Sequence, residues 1–182
     1  KGQHYDYAAQ FPESFAKYQT TDYPEVSYPE NKVQLIADYD NATIYNDYVV
    51  NSIIEYFRND NSVVMYFSDH GEEVYDERDY MGHGGTTPHL NYQVEIPFMI
   101  WMSESYRQKN PDIAENIQKH RTLPYVTDDV SHTILSMTGV KCFQYVPERS
   151  LANDAFNPRE ERIILKSYVY EQEVKPNNGC IN

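Results

Sequence analysis

Basic charge is scarce in this chain. Its 182 residues carry 28 Asp and Glu against 15 Lys and Arg, a formal net charge of −13. That balance argues against nucleic acid as a partner, because phosphate backbones are held by clustered cations. It also repels an anionic substrate unless a metal supplies local positive charge. Taken alone, the acidity is equally a solubility feature. Long apolar runs are lacking as well. The longest, Ile96 to Met102, is interrupted by Pro97 and falls far short of the roughly 20 residues of a membrane helix. There is no signal peptide, and the chain opens on Lys1-Gly2-Gln3-His4 without an initiator Met, as expected of a piece of a longer protein. Cysteine is limited to Cys142 and Cys180, compatible with one disulfide in an oxidising compartment or with two free thiols. What is abundant is apolar and aromatic: 40% hydrophobic and 14% aromatic residues exclude a disordered chain and supply a core for one domain or a large part of one.

The most informative stretch is Val63-Val64-Met65-Tyr66-Phe67-Ser68-Asp69-His70-Gly71-Glu72. Its apolar run lacks polar/apolar alternation, which predicts a strand buried on both faces. It ends in an acid and an imidazole, then a glycine that lets the chain turn. Ligands of open α/β sheets gather at the carboxyl ends of strands. A carboxylate oxygen and an imidazole nitrogen there suit a divalent metal, zinc above all, with manganese or another divalent ion as alternatives. The same two residues could also form a simple hydrogen-bonded turn.

Elsewhere the pattern alternates helix and strand. Residues 1–30 are rich in Tyr and Pro, with a short helical turn expected near Pro12–Tyr18. Val33, Ala37, Ile44, Tyr48, Ile53 and Phe57 recur with helical spacing. They predict a helix of about 25 residues, capped by Asn31 and ended by Asn59-Asp60-Asn61. Residues 71–94 read as a long polar loop, of the kind that is usually functional. Ile96–Met102 predicts a second buried strand. Two short helices divided by Pro111 follow, then a helix that Thr127 starts and Gly139 stops. Arg162–Tyr170 reads as a late strand. Together these predict an α/β sandwich with a largely parallel sheet between helices.

Among the histidines, His70 is the first ligand candidate. His83 sits in Met81-Gly82-His83-Gly84-Gly85, where small neighbours leave its ring accessible; a solvent-exposed loop histidine is the plain alternative. Glu72 and Glu73 could each support a metal-bound histidine or could simply be solvated. His120 ends a helix, where its charge suits the dipole. His132 reads as packed or capped, and His89 stays unassigned.

Four ordered segments carry a family resemblance. They are Gly2-Gln3-His4 with Tyr7 and Phe11–Tyr18; Tyr39–Val49; Tyr66–Glu72; and Tyr80-Met81-Gly82-His83-Gly84 followed by Ile96–Trp101. From residue 1 to about 150 the chain resembles the C-terminal half of the catalytic domain of phosphoethanolamine transferases, within the alkaline phosphatase and sulfatase superfamily. The resemblance implies that residues 1–182 are the C-terminal part of one alkaline-phosphatase-like domain. It implies that Asp69 and His70 are two ligands of a zinc ion, and that His4 and His83 lie near the substrate phosphate. The family's threonine nucleophile and a further metal-binding acid would lie upstream of this chain. The chain on its own is therefore expected to be inactive. The implied donor is a phospholipid such as phosphatidylethanolamine, and the acceptor a lipid or glycan of the bacterial envelope. The implied location is the inner membrane, with the domain facing the periplasm. A sulfatase or phosphodiesterase is the alternative within the superfamily. A non-catalytic glycan- or protein-binding domain with a relic metal site is the alternative outside it. Where family members carry Ser-Leu-Gly-Glu after the histidine, this chain runs Glu72-Glu73-Val74-Tyr75-Asp76-Glu77-Arg78-Asp79-Tyr80.

Overall fold

The longest element is the 28-residue helix α1 (Glu30–Phe57). It belongs to a computed structural model that describes residues 6–84, 91–164, 166 and 168–174. After α1 come β1 (Val63–Phe67), β2 (Glu73–Val74), β3 (Met81–Gly82), the single-turn helix α2 (Asn91–Val94) and β4 (Phe98–Met102). Then follow α3 (Glu104–Lys109), α4 (Pro111–His120), α5 (Val130–Thr138), β5 (Ile163–Ile164), β6 (Tyr168–Val169) and α6 (Tyr170–Glu173). Among the described residues the strands form three two-stranded sheets, β1 with β4, β2 with β3 and β5 with β6. Two compact units divide the chain, one of residues 1–56, 66–99 and 175–182, the other of residues 57–65 and 100–174.

In the first unit α1 buries Val33, Ala37, Asn41 and Ala42, a stripe spaced by about one helical turn. Asn41 is 1% exposed and pins the preceding segment. Its Oδ1 accepts from the Lys17 and Tyr18 amides at 2.7 and 2.8 Å, and its Nδ2 donates to the Tyr18 carbonyl. The helix begins one residue earlier than its predicted cap. The Pro29 carbonyl accepts from the Lys32 and Val33 amides, so Asn31 lies inside the first turn. The helical repeat continues through Tyr48, Val49 and Ile53, yet these are 55%, 37% and 44% exposed.

The second unit is built on Tyr106, Ile117, Met137 and Ala152, with Val63, Met65, Ile100, Met102 and Ile113 packed against them. Ser103 caps α3 by accepting from the Tyr106 amide, and its hydroxyl also accepts from the Ser62 amide at 3.1 Å. The Ser103 amide returns a bond to the Ser62 carbonyl. Ser62 precedes β1 and Ser103 follows β4, so these two strands run in opposite directions. The other two pairs are antiparallel as well. The mixed helix and strand character is the predicted one, but parallel pairing is not among the described pairs. Both apolar strands are half-buried along most of their length rather than covered on both faces.

The division of two short helices at Pro111 is as expected: α3 ends at Lys109 and Pro111 starts α4, at a position where a missing N–H costs nothing. Two further expectations are corrected by local geometry. Thr127 opens a 3₁₀ turn, and Asp129 takes the cap position of α5, held by Arg159 at 2.9 and 2.5 Å. Arg162–Tyr170 is a hairpin of β5 and β6 rather than one strand, turned at Lys166 with φ of 69°. Gly139 stops α5 in the left-handed conformation, as its position predicts.

Candidate metal centre

The segment 71–94 is not a plain loop. It contains β2, β3 and α2, and these place the site. The β2–β3 register opposes Glu73 to Gly82 and Val74 to Met81. Glu72 and His83 are therefore the next opposed pair, one step beyond the ladder. The His83 Nδ1 lies 2.8 Å from Glu72 Oε2. A carboxylate accepts, so Nδ1 carries the proton of this bond and Nε2 is the ring atom that can ligate. His70, at the end of β1, repeats the arrangement. Its Nδ1 lies 2.8 Å from the Gly71 carbonyl, which leaves Nε2 as the ligating atom. The two imidazoles stack with centroids 3.7 Å apart and planes 23° apart.

His70, Glu72 and His83 each offer a ligand atom, and these atoms lie within 4.8 Å of one another. Two imidazoles and a carboxylate are donors that zinc takes readily, and each histidine has the oxygen partner that orients a ligating ring. The residues present fit the ion. Asp69 stands beside this group. Its Oδ1 is 3.8 Å from His70 Nε2, on a side chain that is 90% exposed. His70 thus belongs to both pairings, with Asp69 on one side and with Glu72 and His83 on the other.

The Glu72 side chain is only 7% exposed. Its second oxygen accepts from the Tyr7 hydroxyl at 3.4 Å. Burial, reinforced by Glu72, pushes the Tyr7 phenol well above the ordinary tyrosine range, so Tyr7 remains a donor. Tyr39, edge-on to Tyr7 at 5.2 Å, is pushed up to about 12 by burial and then by Glu72. Both phenols keep their protons beside the carboxylate.

Sequence reasoning found His70 and His83, and it named Glu72 as a potential partner. It gave no role to Tyr7, 65 positions from Glu72, whose only sequence signal is its place in the segment of His4. His4 itself lies outside the described residues, as do His89 and Cys180. Glu73 is not solvated; it is fully buried and holds Arg78 through two bonds of 2.7 Å. His120 ends α4, as expected, and is buried there, with Nδ1 donating to the Leu151 carbonyl at 3.0 Å. His132 accepts from the Val146 amide at 3.3 Å, which agrees with a packed role. Among the described residues Cys142 has no disulfide partner.

A strand-end histidine with its orienting oxygen, faced by a second histidine across a hairpin, can now be set beside known proteins. The model of the sulfatase family matches residues 1–140. This chain belongs to the sulfatase family. Phosphoethanolamine transferase EptC of Escherichia coli K12 is 33% identical over 160 residues, which are 85% of this chain and 27% of that protein. Kdo(2)-lipid A phosphoethanolamine 7''-transferase of the same organism is 36% identical over 120 residues, 63% of this chain and 20% of that protein. The crystal structure of the C-terminal periplasmic domain of E. coli EptC in complex with Zn superposes with a TM-score of 0.75 at 33% identity. It covers 87% of this chain and 44% of that one. The chain spans about a quarter of the length of the EptC that it matches. Its fold is that of part of an alkaline-phosphatase-like domain. Among the described residues no helix is long and apolar enough to cross a membrane.

Proposed function

We propose that this sulfatase-family chain is the C-terminal part of a zinc-dependent phosphoethanolamine transferase. The observation that carries the reading is the convergence of His70, Glu72 and His83 at the end of β1, in a chain related to transferases over 85% of its length. Asp69 and His70 would hold the zinc. When bound, zinc supplies positive charge beside a phosphate and lowers the pKa of an oxygen nucleophile. The chain's own residues have defined tasks. Glu72 accepts the Nδ1 proton of His83 and so presents Nε2 toward the site. His83, and with it His4, orients the transferred phosphate and carries a proton to or from its oxygens. Tyr7 holds the far oxygen of Glu72.

The nucleophile is a threonine in the upstream part of the protein, as the family resemblance implies. The donor is a phospholipid such as phosphatidylethanolamine, and the acceptor is a lipid or glycan of the bacterial envelope. The protein works from the inner membrane with this domain in the periplasm.

The test uses the full-length protein, with phosphatidylethanolamine vesicles and a lipid A acceptor. Transfer of the phosphoethanolamine group, stopped by a chelator and restored by zinc, is the expected result. The family match itself favours a second reading, hydrolysis of a sulfate or phosphate diester. Release of sulfate from an aryl sulfate, with no transfer to the lipid acceptor, would decide for hydrolysis.

A further inference from the structure

We propose that Arg78, acting through Glu73, is a positioning residue that holds the β2–β3 hairpin in the register bringing Glu72 onto His83. The inference rests on the reading of His83 as a phosphate-side histidine. The two strands have only two residues each, and hairpins this small have marginal stability of their own. A slip of one residue would turn Glu72 to the opposite face. Something beyond the ladder must hold them.

Glu73 is placed to do so. It is 0% exposed, and its two oxygens accept from Arg78 Nε and Nη2 at 2.7 Å each, across the hairpin turn. The Glu73 Oε2 also accepts from Gln93 Nε2 at 3.1 Å, on α2. The main chain of Gln93 holds the other neighbour of Glu72, its carbonyl accepting from the Gly71 amide at 2.9 Å. Glu72 is thus fixed from both sides, and Arg78 neutralises the buried charge on which one side depends. A bidentate guanidinium fork is suited to this geometry; an ammonium is not. The guanidinium also lies 4.5 Å over the ring of Tyr80, which fixes its direction. Without Arg78 a buried carboxylate would lose the two guanidinium bonds that balance its charge, a state that proteins relieve by exposing the group to water. Glu73 leaving the interior would peel β2 from β3 and draw Glu72 away from His83.

Reactivity of individual histidines in the full-length, metal-free protein tests this directly. Diethyl pyrocarbonate modifies accessible imidazoles, and peptide mapping reads each site. Arg78→Ala is expected to raise the rate at His83 about tenfold, the scale on which lost outer partners act, while buried His120 stays protected. Arg78→Lys should fall between Arg78→Ala and the wild type, and Glu73→Gln, which keeps one acceptor oxygen but turns an amide N–H toward the guanidinium donors, should also raise the His83 rate. The α3 surface variant Arg107→Ala should change nothing. A His83 rate in Arg78→Ala within about twofold of wild type, with His120 protected, overturns the proposal. So does loss of His120 protection in both Arg78 variants, since the pair would then support the whole fold rather than this register. In the transfer assay Arg78→Ala should lower kcat more than it changes KM. Absence of transfer by the wild type would count against the transferase reading alone, because the reactivity measurement needs neither metal nor substrate.

Discussion

Glu72 and His83 oppose each other one step beyond the Glu73–Gly82 pair and meet at 2.8 Å. The contact follows from strand register, so it should be sensitive to the length of the side chain. Glu72→Ala removes the partner that orients the His83 ring, and outer partners of this kind cost about 10- to 100-fold in activity or metal affinity. Glu72→Gln keeps an acceptor oxygen at the same reach and should retain a larger share. The measurements are the zinc isotherm and the transfer rate of the full-length protein. Wild-type values for Glu72→Ala in both would remove Glu72 from the site.

Asp69 projects into solvent, 3.8 Å from the Nε2 nitrogen of His70. A carboxylate this exposed adds little to the fold, so its contribution would come through the ion. Asp69→Ala should therefore lower zinc affinity of the full-length protein at least tenfold, the cost of losing a ligand rather than a distant charge. Its melting temperature without metal should hardly move, as for most surface substitutions. Equal zinc affinity in the two proteins would sink the assignment.

Gly71 has no room for a side chain. A Cβ there would lie 2.2 Å from the Tyr92 carbonyl oxygen and 2.9 Å from that of Glu95, both backbone atoms. Backbone cannot swing aside as a flexible side chain can. Gly71→Ala should cost about 1–3 kcal/mol or more, the range of overpacked interiors, and should displace α2 from the His70–Glu72 corner. Thermal unfolding of the full-length protein, with and without zinc, measures both effects. A melting temperature within a degree of wild type would show that the corner yields easily.

The legible parts of the site were those with local signals. β1 and β4 each show five consecutive apolar residues, and His70 and His83 stand next to glycines at strand ends. The pairing of β1 with β4 was not legible, because an unbroken apolar run carries no alternation from which to read a face or a partner. The helical repeat of α1 likewise continues past the residues that the fold covers, which is why Tyr48 and Ile53 read as core and stand exposed. Two-residue strands are shorter than any period, so β2 and β3 were hidden in an apparent loop. Once they pair, Glu73 turns inward to Arg78, and the acid that looked solvated becomes the most deeply buried charge of the hairpin. Tyr7 reaches Glu72 only through tertiary folding, which no spacing along the chain records.

Tyr125, in the second unit, provides a pH test. Its hydroxyl shares a 2.7 Å hydrogen bond with the buried Thr133, and burial pushes its pKa up to about 12. In the unfolded chain the same phenol ionises near 10, at roughly its model value. Between these two values the unfolded chain gives up the proton while the folded chain keeps it. Folding then binds more protons than unfolding, so stability falls as pH rises through this window, by at most about 1.4 kcal/mol per pH unit for one group. Below pH 10 the contribution is fully present. Tyr125→Phe cannot ionise and should flatten that part of the alkaline decline, at the cost of about 1 kcal/mol near neutrality for the lost hydrogen bond. Urea unfolding of the full-length protein between pH 8 and pH 11 compares the two slopes. Identical slopes, with the neutral-pH cost still present, would mean that Tyr125 ionises in the folded protein as readily as in the unfolded one, and that water reaches its hydroxyl.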